Sequence, residues 1–320
     1  MRPTGPLHLG HLLGALENWK KLQGTHECFF MVADLHALMG EYENPANIRE
    51  YTSQMILDWM VCGIDPENIF IQSQIPEHSE LAMILGMLTP LGWLERNPTY
   101  KEQLREIEGR DLTTYGFLGY PVLQAADILL YKAHKVPVGE DQRAHLELTR
   151  EIVRRFNHLY KKDIFPEPEA LFTKEAKILG TDRRKMSKSY NNSINLSDDE
   201  KTVRLKVQSM ITDPKRIKVS DPGHPEECNV FSYYNIFSKD KALVNDVHDW
   251  CSHAKKGCTD CKKQFADMLV EYLKPIQKSR QKAETATVNN LIRKGQERAQ
   301  EQARETLDEV KKLLNLSTDI

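Results

Sequence analysis

The chain has 320 residues, of which 40% are hydrophobic and 28% are charged, and its formal net charge is −2. This composition is typical of a globular protein and excludes a disordered or fibrous chain. With so little net charge, any binding to nucleic-acid phosphates must depend on local clusters of Lys and Arg. The sequence has neither an apolar run of about 18 residues that could span a membrane nor the apolar core of a signal peptide, so we expect a cytoplasmic protein.

Short apolar runs alternate with longer helical patterns in the first half of the chain. Residues 26–33 and 68–72 are apolar and predict two strands, and the helical spacing over residues 48–62 predicts a helix that stops at Gly63. Residues 141–157 predict another helix. Its apolar positions are Leu146, Leu148, Ile152, Val153 and Phe156. Strands that alternate with helices predict an α/β domain with a doubly wound parallel sheet.

The sequence changes character after residues 181–195, a polar and basic segment that predicts an exposed loop. From Ser197 onward helical patterns run almost without interruption. Residues 221–225 contain two prolines and a glycine and break them, and residues 285–314 predict a long, charged final helix. We therefore expect an α-helical domain to begin near residue 193.

Two histidines, His8 and His11, lie three residues apart directly before a helical run over residues 12–22. Backbone N–H groups and the helix dipole favour anions at a helix N-terminus, and imidazoles can donate hydrogen bonds to phosphate oxygens. Gly10 lies between them, and its lack of a side chain lets a flat base or a ribose approach the backbone. Taken alone, such a pair is more often a surface feature or a chance metal pair than a functional site.

A second motif, Lys185-Met186-Ser187-Lys188-Ser189, lies in the polar segment. Two lysines on a mobile loop can close over a triphosphate and neutralise the charge that develops as pyrophosphate leaves. By itself the motif is better explained as a solvated basic loop. The pair is far more specific, because an HxGH near the N-terminus and a KMSKS about 170 residues later resemble the signature of the class I aminoacyl-tRNA synthetases.

This resemblance implies a Rossmann-like catalytic domain that uses ATP and Mg²⁺. In the family the first motif binds ATP and the second stabilises the transition state of adenylate formation, so catalytic roles are implied for His8, His11, Lys185 and Lys188. The further positions that the resemblance places at the ATP site are Thr4, Gly10, Gly139, Asp141, Met186 and Ser187.

Within class I, the chain resembles the tryptophanyl-tRNA synthetases over nearly its whole length. The similar segments are residues 2–5, 33–37, 120–129, 136–142 and 147–150, together with the helical tail. The resemblance implies an enzyme that activates L-tryptophan, transfers it to tRNA(Trp) and acts as a homodimer.

The resemblance also identifies a tryptophan pocket. Indole offers one N–H donor and no acceptor, which suits a carboxylate in an apolar pocket, and Asp127 matches the family's indole-binding aspartate. Tyr120 and Gln142 match positions that hold the substrate's ammonium group. The other implied pocket residues are Ala33, His36, Gln124, Ile128 and Val138.

Three other functions fit part of the sequence. Tyr120, Gln124 and Asp127 also resemble the tyrosyl-tRNA synthetases, although residues 139–142 and 147–150 favour tryptophan. Nucleotidyltransferases also use HxGH, but the KMSKS loop and the helical tail argue against them. A non-catalytic RNA-binding paralogue would keep the fold. The intact motifs argue against a paralogue. In the family a strand precedes the run that here directly follows Met1, and the lack of that strand in the given sequence keeps the paralogue alternative open.

Four of the six cysteines, Cys228, Cys251, Cys258 and Cys261, lie in the second half, and the last two form a C-x-x-C. Four thiolates suit zinc or an iron–sulfur cluster, and the spacing alone favours zinc. The pattern C-x22-C-x6-C-x2-C resembles a subset of tryptophanyl-tRNA synthetases with a 4Fe–4S cluster in the anticodon-binding domain. That resemblance implies a cluster rather than zinc, in a structural role.

Three segments are therefore predicted. Residues 1–192 form a Rossmann-like catalytic domain that carries both motifs. Residues 193–283 form a helical anticodon-binding domain with the four-cysteine site, and residues 284–320 form a C-terminal helix that packs back on the catalytic domain.

Overall fold

The computed structural model describes residues 1–106, 113–172, 178–283 and 288–316. Parts of the predicted C-terminal segment, residues 284–287 and 317–320, thus lie outside the described residues. Among the helices in the described ranges, none has the length and apolarity that crossing a membrane requires.

Four strands in the described residues form two parallel pairs. Strand β1 (Phe30–Val32) pairs with β2 (Ile69–Ile71), with Phe30 opposite Ile69. Strand β3 (Lys135–Val138) pairs with β4 (Glu169–Phe172), with Lys135 opposite Glu169. Parallel neighbours need a crossover connection, which the intervening helices supply.

Helices fill the spaces between and around these strands in the first half of the chain. The first helix is continuous from α1 (Leu9–His11) through a π-helical turn (Leu12–Leu16) into α2 (Glu17–Leu22). The others are α3 (Asp34–Glu41), α4 (Ile48–Val61), α5 (Glu77–Leu88), α6 (Leu91–Glu95), α7 (Pro98–Glu106), α8 (Tyr115–Leu129) and α9 (Arg143–Tyr160).

The predicted elements of this half are present, with shorter strands. Strand β2 ends at Ile71 because residues 72–74 turn into a 3-10 helix, and β1 uses only the last part of the predicted segment. Helix α4 ends just before Gly63, whose φ of 96° is the left-handed conformation that glycine adopts readily. All the apolar positions predicted for α9 are buried.

The second half is helical, as predicted. Its helices are α10 (Glu200–Ser209), α11 (Asn229–Phe237), α12 (Lys241–Ser252), α13 (Cys258–Ala283), α14 (Val288–Leu291) and α15 (Arg293–Leu313). The break between α10 and α11 is longer than residues 221–225. The carboxylate of Asp213 holds this loop, because it accepts hydrogen bonds from the backbone N–H groups of Lys215 and His224 at 2.8 and 2.7 Å.

The prediction that residues 181–195 form an exposed loop is wrong for part of the segment. Met186, Asn192 and Ile194 are buried. The side chain of Asn192 holds the segment together through internal hydrogen bonds. Its Oδ1 accepts from the backbone N–H of Ser187 at 2.8 Å, and its Nδ2 donates to Asp182 at 2.7 Å. At the buried Asn192, polarity reflects internal hydrogen bonding rather than exposure to solvent.

Two clusters of buried apolar residues organise the described part of the chain. One joins the N-terminal helix, α4 and β1 to α10, α11 and α13, so it is continuous across residue 193. The other joins α5, α8 and α9 to α15. The side-chain amide of Gln296 on α15 also bonds the edge of β2, where its Oε1 accepts from the backbone N–H of Ile71 at 2.9 Å. Helix α15 therefore covers a strand edge that would otherwise be open.

Candidate active site

The two sequence motifs meet because the segments that carry them pair through their backbones. His8 and Asn195 form an antiparallel bridge, and the N–H of Leu9 donates to the carbonyl of Ile194 at 3.0 Å. The ammonium of Lys188 donates to the carbonyl of Gly5 at 2.7 Å. The structure thus brings the segments around residues 8–11 and 185–189 together, although some 180 residues separate them in the chain.

Backbone contacts fix the orientation of both histidines. Nδ1 of His8 accepts from the N–H of Gly10, and Nδ1 of His11 accepts from the N–H of His8, each at 3.1 Å. Burial lowers the pKa of His8 to about 4 and that of His11 to about 2, so both rings are neutral at pH 7 and carry their proton on Nε2. Each ring keeps one N–H donor for a ligand. A Cβ on Gly10 would lie 2.9 Å from Cε1 of His8, so glycine also makes room for that ring.

The lysines of the second motif differ in their environments. Lys185 is exposed, whereas Lys188 is partly buried against the first motif, and Met186 between them is 5% exposed. Burial lowers the pKa of Lys188 to about 8. The backbone on either side is held by Asn192, whose Nδ2 also donates to the carbonyl of Lys185 at 3.2 Å.

The carboxylate of Asp127 on α8 is buried and accepts three hydrogen bonds. Its Oδ1 accepts from Nε2 of Gln72 at 2.8 Å and from Nδ1 of His78 at 2.7 Å, and its Oδ2 accepts from Nε2 of His36 at 2.7 Å. Burial by itself would raise the pKa of Asp127, but His36 and His78 hold it well below its usual range. Asp127 is therefore a buried, ionised acceptor.

The strand topology explains how these partners reach Asp127. His36 lies in the first turn of α3, directly after β1, and Gln72 follows β2. The carboxyl ends of neighbouring parallel strands meet at one edge of a sheet, where α/β folds bind their ligands. Gln72 and His78 were not identified from the sequence. The position of Gln72 at the end of a predicted strand was the available signal.

A second buried histidine fixes the hydroxyl of Tyr120. The amide oxygen of Asn97 accepts from the N–H of Thr99 at 3.0 Å, so its Nδ2 faces Nδ1 of His145, to which it donates at 3.1 Å. Burial lowers the pKa of His145 to about 4, so the neutral ring carries its proton on Nε2 and donates it to Tyr120 Oη at 2.8 Å. Tyr120 keeps its own proton for donation. Neither Asn97 nor His145 was identified from the sequence.

The remaining predicted site residues lie at the end of β3, on α8, directly before α3 and, for Thr4, before the first helix. Gln142 closes a turn on the carbonyl of Gly139 at 3.0 Å, donates to the exposed Asp141 at 2.9 Å and accepts from Gln124 at 3.3 Å. These contacts tie α8 to the end of β3. Of the others, Ala33 and Ile128 are buried, Val138 is half-buried and Thr4 is exposed.

The guanidinium of Arg2 is within electrostatic reach of Lys188 in the second motif and of Tyr120 and His145 in the pocket. Burial has the largest effect on the pKa values of these three groups, and Arg2 lowers each of them. The motif pair and the pocket therefore form one region of the molecule.

The four late cysteines line one cavity in the helical part of the chain. Burial and, to a smaller extent, the other three thiols raise the pKa of Cys261 to about 12. Val230, Val247 and Trp250 complete the apolar part of the wall, and Arg216 the basic part. Within the described ranges, no group of three or more His, Cys, Asp or Glu side chains is gathered to hold a metal ion.

Comparison with known proteins identifies the family. The model of the family described as tRNA synthetases class I (W and Y) matches residues 1–274. The chain is 49% identical over 321 residues to the tryptophan–tRNA ligase of Thermotoga maritima, with 99% of this chain and 98% of that protein covered. It is 42% identical over 389 aligned positions to the tryptophan–tRNA ligase of Aquifex aeolicus, with 99% and 98% covered.

A solved structure agrees with this assignment. The fold matches tryptophanyl-tRNA synthetase from Campylobacter jejuni, complexed with ADP and tryptophan, with a TM-score of 0.90, 29% identity, and 99% of this chain and 98% of that chain covered. The predicted Rossmann-like α/β class with a helical second part is thereby confirmed. The chain belongs to the class I tRNA synthetases of the W and Y family, and within it to the tryptophanyl-tRNA synthetases.

Proposed function

We infer that this chain is a tryptophan–tRNA ligase, which activates L-tryptophan with ATP and transfers it to tRNA(Trp). One observation carries this inference: two neutral histidine donors and the Lys188 ammonium converge beside a pocket closed by an ionised, buried Asp127. The first group suits a triphosphate and the second suits an indole N–H.

The reaction follows from this arrangement. The carboxylate of tryptophan attacks the α-phosphorus of ATP, which enters with its Mg²⁺, and pyrophosphate leaves. The Nε2–H groups of His8 and His11 and the ammoniums of Lys185 and Lys188 bind the phosphates and offset the negative charge that develops on the leaving group. Asp127 accepts a hydrogen bond from the indole N–H and thereby fixes how deeply the tryptophan side chain is bound. The protein thus contributes position and charge, and no covalent intermediate with the enzyme is needed.

Pyrophosphate exchange into ATP tests this function. We expect exchange that depends on tryptophan and exceeds that with tyrosine by roughly 10⁴-fold, because a buried group made for one polar substrate group rejects others strongly. The assay compares tryptophan, tyrosine and no amino acid. Equal exchange with tyrosine would identify a tyrosyl enzyme, and no exchange with either amino acid, together with tRNA binding, would identify a non-catalytic paralogue.

We propose that Cys228, Cys251, Cys258 and Cys261 hold a 4Fe–4S cluster. All four line the same cavity, and among the described residues neither His nor a carboxylate shares its wall. The C-x22-C-x6-C-x2-C spacing resembles that of the cluster-bearing subset of the family, and this favours a 4Fe–4S cluster over a single zinc ion. Arg216 lies 3.9 Å from the sulfur of Cys258, and Lys256 lies on the same wall, so positive charge is available to offset thiolates.

When bound, the cluster would join segments that are distant in the chain. Cys228 precedes α11, Cys251 lies in α12, and Cys258 and Cys261 lie in the first turn of α13. A group that binds all four cysteines stabilises this arrangement of helices, as structural metals do. The cluster has no part in the activation step proposed above.

Metal analysis of anaerobically purified protein tests the cluster. We expect about four irons per chain and a broad visible absorbance band, both lost in Cys258→Ser. The matched control is Cys28→Ser, because Cys28 is also a partly buried thiol but lies outside the cavity. Stoichiometric zinc without iron would contradict the proposal and restore the zinc alternative.

We further propose that each predicted segment of the chain has its own function. Residues 1–192 carry the activation chemistry, residues 193–283 bind the anticodon, and the helix that follows packs on β2 and α5. The continuous apolar cluster across residue 193 supports rigid coupling between the first two parts. The enzyme acts as a homodimer of the 36.9 kDa chain, as the family resemblance implies.

A further inference from the structure

Asp127 has almost no acceptor capacity left for a ligand. An ionised carboxylate offers about four lone-pair positions, two on each oxygen. Gln72 and His78 fill both positions on Oδ1, and His36 fills one on Oδ2. A ligand in the pocket can therefore donate one hydrogen bond to Asp127, at Oδ2.

Gln72 is committed to this role. Its side chain is fully buried, and its Oε1 has no hydrogen-bond partner within the described part of the chain. The amide cannot turn over to improve this, because Oε1 would then face the carboxylate. A buried carbonyl without a partner is destabilising, and sites that keep such a group are often functional ones. The hydrogen bond that Gln72 donates to Asp127 is thus made at the expense of an unpaired carbonyl on the same side chain.

His78 is held just as firmly. It is 0% exposed, its ring lies 6.0 Å from that of Phe70 and 5.6 Å from that of Tyr131, and both of its nitrogens are used. Because Asp127 is an acceptor, Nδ1 carries a proton, and Nε2 is hydrogen-bonded to the hydroxyl of Tyr131 at 2.8 Å. The ring thus has no donor left for a ligand.

We propose that Gln72 and His78 are specificity-determining residues that act through Asp127. They fill Oδ1, and the N–H groups that they direct at it are not available to a ligand. This inference rests on the proposed function and deepens it. An indole N–H donates one hydrogen and accepts none, so it fits the single open position. A phenolic oxygen buried here is left with an unpaired acceptor unless it also receives a hydrogen bond, and the N–H groups directed at Oδ1 cannot supply it.

Substitutions that remove the donors test the proposal. Gln72→Ala and His78→Ala each free a position on Oδ1 and leave room for water, which can donate one hydrogen to Asp127 and the other to a phenol. We expect the KM for tryptophan to rise roughly tenfold or more with kcat within about threefold. We also expect the kcat/KM ratio of tryptophan to tyrosine in pyrophosphate exchange to fall by at least about tenfold.

Two further variants separate this role from a merely structural one. His78→Asn keeps a donor near the position of Nδ1 and is expected to restore most of the ratio. Thr52→Val is the control, because Thr52 on α4 is also buried with an unpartnered hydroxyl, and it is expected to leave the ratio and both KM values unchanged.

The outcomes are distinguishable. A wild-type chain without tryptophan-dependent exchange would sink the proposed function. Wild-type activity with an unchanged tryptophan-to-tyrosine ratio in Gln72→Ala and His78→Ala would overturn this inference alone. Should His78→Ala fail to fold, the ratio for Gln72→Ala decides.

Discussion

Replacing Lys188 by alanine is expected to slow tryptophanyl-adenylate formation by roughly 10²–10³-fold, the usual effect of removing one group that stabilises developing charge. Its ammonium lies 2.7 Å from the carbonyl of Gly5 and beside His8 and His11. Since those histidines are neutral, Lys188 supplies full positive charge at this end of the site. Tryptophan binds at Asp127, so its affinity should change little. Single-turnover adenylate formation and equilibrium tryptophan binding measure the two effects.

The pH dependence provides an internal check on this role. Burial lowers the pKa of Lys188 to about 8, so in the free enzyme the charged form prevails below that pH and is lost above it. The kcat/KM for ATP should therefore fall as pH rises through about 8. In Lys188→Arg the fall should vanish, because arginine stays protonated. Lys201→Ala, which removes an exposed lysine from α10, is the control, and an adenylation rate in Lys188→Ala equal to that control would disprove the role.

Gly295→Ala should destabilise the chain by about 3 kcal/mol or more, in the range of severe overpacking. A Cβ at this position of α15 would lie 2.3 Å from the carbonyl oxygen of Ile69, 2.7 Å from that of Pro66 and 3.0 Å from the nitrogen of Ile69. All three atoms belong to the backbone, which cannot turn aside as a flexible side chain can. The helix would have to move off β2. Urea unfolding of the variant measures the loss.

The sign of this effect is diagnostic. In an ordinary helix, glycine to alanine is stabilising by up to about 1 kcal/mol. Gly86→Ala on α5 is the matched control, because no atom lies within 4 Å of its added Cβ, and it should be neutral or stabilising. Equal stability changes in the two variants would show that α15 does not pack on β2 as the structure has it.

The sequence was most informative where chemistry is local. His8, Gly10 and His11 form a pattern within one turn, and Lys185 and Lys188 form another, and each has a plausible anion-binding chemistry of its own. Their joint specificity allowed convergence to be predicted over a long separation. Hydrophobic periodicity was equally reliable for α9, where burial follows the 3.6-residue repeat.

The residues that the sequence did not reveal act through tertiary contacts. His78 and His145 lie among other polar residues near the N-terminal ends of α5 and α9, and nothing in their spacing indicates that one faces Asp127 and the other Tyr120. Gln72 was predicted to be the last residue of a strand. Because α/β folds bind ligands at the carboxyl ends of their parallel strands, a polar side chain at that position is a candidate site residue. Asn192 illustrates a different error, because its polar segment was predicted to be exposed whereas Asn192 itself is buried.

The position of α15 has a consequence for the timing of synthesis. The backbone of Ile71 receives its partner from Gln296, which is 225 residues further along the chain. At about 5–20 residues per second, a ribosome needs on the order of ten to forty-five seconds to make that stretch. During this interval the nascent chain carries an unpaired strand edge, a template for association with other chains. We therefore expect either that this strand edge is protected during translation or that folding of the catalytic half is completed slowly after synthesis.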